Sequence, residues 1–142
     1  MTDTIRFNPP GTWPQAGRPY NHGVVPGDGR VLYMTGQVAW DAEGKVVGPG
    51  NCEIQVRKSF ENVRNILAAV GGTLEDIVSM TIVFVNRDDL PVIQKARAEF
   101  LRPETGPASI MFQAAGLIVP ELVVELIPVA VIPLDRFKEP SA

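Results

Sequence analysis

The stretch Leu122-Val123-Val124-Glu125-Leu126-Ile127-Pro128-Val129-Ala130-Val131-Ile132 decides the fold. It is rich in β-branched residues and carries a single ionisable group, Glu125. It is also too short for a membrane-spanning helix. The run predicts a β-strand covered on both faces. Inside such a strand an ionised Glu125 must find partners or give up its charge. Either outcome suits proton transfer. The structural alternative is a Glu at a solvent-facing sheet edge, or one paired with an Arg across a subunit contact. Pro128 has no N–H to donate, so a bulge or an unpaired position is expected beside it.

Working outward, residues 109–114 and 78–85 predict two further strands. Between them a helix is expected from about Asp89, tolerating Pro91 in its first turn and packing Ile93, Ala96 and Phe100. Upstream, Val56, Phe60, Val63, Leu67 and Val70 recur at spacings of four and three, the mark of a helix face. Asn51 is the expected N-cap and Gly71-Gly72 the stop. The opposite face, with Arg57, Lys58, Glu61 and Arg64, reads as solvated. Thr73-Leu74-Glu75-Asp76 suggests a short capped turn. Residues 23–35 read as two strands around an Asp28-Gly29 turn. The first 19 residues, with Pro9, Pro10, Pro14 and Pro19, read as an irregular opening segment. The order implies an α+β fold in a single domain over residues 1–142, a mixed, ferredoxin-like sheet with two helices on one face. Strand edges this apolar are hazardous in a monomer, and a closed oligomer is the remedy.

Composition narrows the functions. A chain of 142 residues with 45% hydrophobic and 20% charged residues is globular rather than disordered. A net charge of −3 argues against a general nucleic-acid binder. One Cys and one His exclude an internal disulfide framework and make a zinc site built by one chain an unsuitable reading. No basic, apolar leader opens the sequence, and a soluble, cytoplasmic protein without membrane or nucleic-acid partners is expected.

Several segments, in order, resemble the YjgF/RidA family of imine and enamine deaminases. They are Pro19-Tyr20, Met34-Thr35-Gly36-Gln37-Val38, the helix over residues 56–71, Thr81-Ile82-Val83-Phe84-Val85, Pro107-Ala108 and Leu122-Val123-Val124-Glu125. The resemblance runs from about Tyr20 to Val131. It implies a chorismate-mutase-like fold assembled as a barrel-like homotrimer, with small-molecule clefts between subunits and neither metal nor organic cofactor. Carried over by position, it implies that Tyr20, Thr35, Gln94 and Glu125 line the cleft, with Thr35 where Ser is more usual and Gln94 where Asn is. The family's hydrolytic members have Arg after Pro-Ala, clamping a substrate carboxylate. This chain has Ser109, which cannot make that bidentate contact. Met111 stands where Cys or Thr is common.

The chemistry needs few groups, and a single carboxyl, Glu125, can deliver and remove the protons. Tyr20 and Thr35 would hold substrate or water, and Gln94 would add an amide contact. With Ser109 unable to clamp, Arg18 and His22 are the basic residues nearest in sequence to a cleft position, each with a solvated surface role as its alternative. Cys52 falls at a helix start, which lowers a thiol pKa, though no motif supplies a base for it. Trp13 and Trp40 read as cover for a core. The resemblance implies a hydrolytic deaminase, with a 2-aminomuconate-like amino-diacid as one candidate substrate. A non-catalytic trimer binding a metabolite in the same clefts is the alternative, and ribonuclease activity is the reading the acidic charge least supports.

Overall fold

The computed structural model describes residues 2–141. Its strands are β1 (Ile5–Phe7), β2 (Gly23–Val25), β3 (Gly29–Tyr33), β4 (Ile77–Phe84), β5 (Ala108–Gln113) and β6 (Val124–Pro133). Helix α1 (Cys52–Ala69) precedes β4, and α2 (Leu90–Phe100) lies between β4 and β5. Four strands form the main sheet in the order β3-β6-β4-β5, with β4 and β5 parallel and the other pairs antiparallel. Both helices bury their apolar stripes against one face of it. Phe60 and Leu67 of α1 and Ile93 and Ala96 of α2 share a core with Met80, Ile82, Phe84 and Leu126. The expected α+β architecture is therefore present.

Local chemistry explains the helix limits. The Asn51 side chain accepts a hydrogen bond from the Ile54 amide at 3.1 Å. At the other end the Gly72 and Gly71 amides donate to the carbonyls of Leu67 and Ala68 at 2.8 and 3.2 Å, the Schellman pattern. The two helices meet through stacked Phe60 and Phe100 rings, 4.6 Å apart, and an Arg57–Glu99 ion pair of 2.5 Å. The α1 face read as solvated thus touches α2 through Arg57, and Arg64 lies over the Phe100 ring. The turn at Leu74–Asp76 is capped as expected, the Thr73 amide donating to Asp76 at 2.8 Å.

Three expectations fail. First, residues 23–35 form no hairpin: β2 pairs with β1 in a separate two-stranded sheet, and β3 pairs with β6. Asp28 accepts from the Thr2 amide at 2.9 Å rather than closing a turn. Second, the proline-rich opening segment is not wholly irregular, since β1 lies within it. Third, β6 is not covered on both faces. Val124, Leu126, Pro128 and Ala130 are buried, whereas Glu125, Ile127 and Val129 are half-buried on the face the helices leave open. Pro128 meets its expected irregularity. The β3 ladder ends at Tyr33–Val129 and resumes as the Gln37–Leu126 bridge, so Pro128 has no partner on that side.

The uncovered face is apolar. In register, Val83 joins Glu125 to Phe112, and Thr81 joins Ile127 to Ile110, so these side chains share a face. Ile110 at 61% and Tyr33 at 80% exposure mark much of it as uncovered by the described residues, although Val83 and Val131 on the same face are buried.

Candidate active site

The segment carrying Tyr20 is held by its buried neighbour Asn21. The Asn21 side-chain amide donates to the carbonyls of Pro103 and Gly106, both at 2.9 Å, and its oxygen accepts from Asn8 Nδ2 at 2.8 Å. Its backbone amide donates to the Pro107 carbonyl at 3.0 Å. The approach is close enough to require glycine at 106, because a Cβ there would lie 2.6 Å from the Pro19 carbonyl carbon and 2.8 Å from the Tyr20 nitrogen. Trp13 Nε1 donates to Tyr20 Oη at 2.9 Å, and His22 Nε2 lies 2.8 Å from the Trp13 carbonyl oxygen. The Trp13 and His22 rings meet edge to face with centroids 4.4 Å apart.

Tyr20 thereby faces a cavity of about 200 Å³ that also brings together Arg18, Gln94, Ser109 and Met111. Ser109 and Met111 alternate along β5 on the helix side, opposite Met80 and Ile82, and Gln94 enters from α2. His22 lines an adjoining cavity of about 300 Å³, of which Tyr20 and Ser109 are also walls. Trp13 is 68% exposed and borders both cavities, so it does not cover a core. Trp40 does pack against the small Val38–Ala39–Leu122 cluster.

Sequence reasoning missed Arg97, which completes the first cavity and is buried to 3% exposure. Its Nη1 lies 3.4 Å from both Ser109 Oγ and Met111 Sδ, and its Nε has no partner. Desolvation lowers its pKa; Tyr20 opposes that shift and Arg18 reinforces it. A signal was present. Arg97 follows Ile93 by four positions and Ala96 by one, so it sits on the stripe read as the apolar face of α2.

Thr35 and Glu125 lie elsewhere. Thr35 lines a cavity of about 430 Å³ with Gln37, Lys58 and Asn62. The Glu125 carboxylate sits in a notch over Gly36, where an added Cβ would come within 2.9 Å of its Cδ. Among the described residues the carboxylate takes part in no hydrogen bond or ion pair, and it lines neither the Tyr20 nor the Thr35 cavity. On β6 it points to the open face, whereas Ser109 and Met111 point to the helix face. Within one chain the sheet separates Glu125 from the Tyr20 cavity, and Thr35 lies in a third place, beside α1.

Cys52 behaves opposite to the helix-start expectation. It is buried, and that burial, with Asp89 beside it, pushes the thiol pKa up to about 12. The positive helix end is outweighed by the loss of water. Among the described residues no group of three His, Cys, Asp or Glu side chains is arranged to hold a metal ion. Nor is any described helix long and apolar enough to cross a membrane.

The α+β fold and the sequence together define one known class. The family model described as endoribonuclease L-PSP matches residues 11–132, and the chain belongs to that family, which includes the YjgF/RidA proteins. It is 32% identical over 100 residues to the 3-aminoacrylate deaminase RutC of Acinetobacter baylyi, covering 70% of this chain and 78% of that protein. Among solved structures, the Rid-family protein YyfB of Yersinia pestis superposes with a TM-score of 0.81 at 28% identity, over 92% of this chain and 100% of that one. RidA of an Antarctic Psychrobacter gives a TM-score of 0.66 at 28% identity, over 80% of this chain and 88% of that chain.

Proposed function

We propose that the protein is a hydrolytic deaminase that converts a reactive enamine or imine to a carbonyl compound and ammonia, without metal or organic cofactor, in sites shared between the copies of a homotrimer. The observation that carries this reading is the Glu125 carboxylate, seated over Gly36 and unengaged among the described residues, on an apolar sheet face that they leave largely exposed. A second copy packed on that face would dry the carboxylate's surroundings. It would also bring Glu125 and Thr35 of one copy toward the Tyr20 cavity of the next, uniting residues that lie apart within one chain.

In this reading Glu125 protonates the enamine carbon, the resulting imine accepts water at its C=N carbon, and the carbinolamine expels ammonia. Glu125 regains a proton from the attacking water and passes it to the leaving nitrogen; as ammonia departs and the carbonyl forms, the carbinolamine hydroxyl gives its proton back to Glu125, restoring the acid. Tyr20, Thr35 and Gln94 orient substrate and water. The Acinetobacter relative is named for 3-aminoacrylate, an enamine that carries a carboxylate. A 2-aminomuconate-like amino-diacid would supply the same group.

Ammonia release from a panel of enamines and imines tests the proposal. Glu125→Gln should lower turnover about 100-fold or more with the oligomer intact; unchanged turnover removes Glu125 from the mechanism. The second reading is a non-catalytic trimer that binds a metabolite in the same clefts. It is favoured by Ser109 and Met111, neither of which carries charge or acid–base capacity, on the cavity wall. Saturable ligand binding without ammonia release from any member of the panel would select it.

A further inference from the structure

We propose that Arg97 is the anion anchor of the Tyr20 cavity and binds the carboxylate of a small planar acid there. Its naming of an unsaturated carboxylate as substrate class rests on the deaminase reading; the anion site itself does not.

The argument begins with an uncompensated charge. Arg97 remains protonated in any protein environment, yet it is 3% exposed. Removing a guanidinium from water costs several kcal/mol unless a partner compensates it, by order of magnitude. Other arginines of the chain have such partners. Arg136 pairs with Asp76 and Arg57 with Glu99, both at 2.5 Å, and Arg102 pairs with Glu75. All three are more exposed than Arg97. The most deeply buried of the four is the one without a carboxylate.

What Arg97 has instead is weak. Its 3.4 Å contacts to the Ser109 hydroxyl and the Met111 thioether are long, and a thioether is a poor acceptor. Its guanidinium carbon stands 5.9 Å from the Tyr20 ring centroid, at the outer limit of a cation–π contact. Nε has no partner at all. Arg18 on the same cavity adds a second positive charge, and no acidic side chain lines that wall. The cavity is therefore electropositive, and among the described residues a neutral hydroxyl and a sulfur are the hydrogen-bond partners of the guanidinium's Nη1. An entering carboxylate would supply the missing charge and acceptor atoms together.

Size and shape restrict the ligand. At about 30 Å³ per water-sized group, the cavity of about 200 Å³ holds about seven such groups, room for a three- or four-carbon acid or for the carboxylate end of a longer one. The Tyr20 and Trp13 rings among its walls favour a flat molecule. Ser109 fits this arrangement because a larger side chain at 109 would occupy the space beside Nη1.

The test is calorimetric titration of the intact protein with crotonate and with crotonamide, its neutral counterpart of the same shape. The parent should bind crotonate at least about tenfold more tightly than crotonamide. Arg97→Met, which keeps the side chain's length and removes its charge, should abolish that preference without lowering the thermal midpoint of the unliganded protein. Arg97→Lys should retain part of it. No saturable binding of crotonate by the parent, equal binding of the two compounds, or a preference that survives Arg97→Met would overturn the proposal, the last shifting the anchor to Arg18. Crotonate held through Arg97 with no ammonia release from any enamine would sink the deaminase reading and leave the anchor standing. Release of ammonia from a carboxylate-bearing enamine undiminished in Arg97→Met would leave the deaminase reading standing and overturn Arg97 as the holder of the substrate carboxylate.

Discussion

The two faces of β6 differ sharply in what covers them. Leu126 and Ile127 are adjacent in sequence and alike in chemistry, but Leu126 is fully buried under the helices and Ile127 looks out from the open side. Alternation along a strand makes this possible, because successive side chains point to opposite faces. An uninterrupted apolar run is normal for a strand buried on both sides. Here the described residues cover one side fully and leave much of the other exposed, and the apolar character of that side is what the proposed packing of a second copy would use. Glu125 belongs to that second side, while Arg97 and the Tyr20 cavity belong to the first.

The sharpest way to break this comparison is to truncate both neighbours. Leu126→Ala should cost about 2–5 kcal/mol in chemical denaturation while leaving the sedimenting mass at low concentration as in the parent. Ile127→Ala should act through association, raising the concentration below which the oligomer comes apart. Equal losses of stability with the same effect on association would mean that the two faces are not distinct. Next in size is a charge on the open face. Ile110→Lys should reduce the sedimenting mass from three chains to one while leaving far-UV circular dichroism unchanged. A single-chain mass for the parent protein would remove the oligomer from the account. The smallest effect concerns Cys52. With its thiol pKa pushed up to about 12, it should resist iodoacetamide at pH 8 in the folded protein and react on unfolding. Rapid labelling of the native protein would contradict its burial.

Much of this structure is legible in the sequence where local chemistry decides it. The Asn51 cap and the Gly71-Gly72 stop fix α1 because each acts within a turn of the helix. Pro91 and the Ile93–Ala96 spacing do the same for α2. Pairing partners are less legible, since β3 joins β6 about a hundred residues away rather than the adjacent β2, and no local signal specifies that choice. For the site, Tyr20, Arg18, Gln94, Ser109 and Met111 do converge. Glu125 does not join them within the chain, because the side of the sheet on which a strand residue emerges depends on which face the helices take. Arg97 escaped notice for a simpler reason. Reading a helix for its apolar stripe passes over a charged residue on that stripe, although such a residue is the costly one and therefore the informative one.

The central claim, that a carboxylate from one copy serves the cavity of another, has a direct test in mixed oligomers. Glu125→Gln disables the acid, and Ser109→Trp fills the cavity; each protein alone should release little ammonia. Unfolded together and refolded as a mixture, they should regain a substantial fraction of parental turnover, because some sites then combine an intact Glu125 from one chain with an open cavity from its neighbour. A mixture that exchanges subunits yet stays as inactive as its components would show that both halves of the site come from a single chain, and the account would fail.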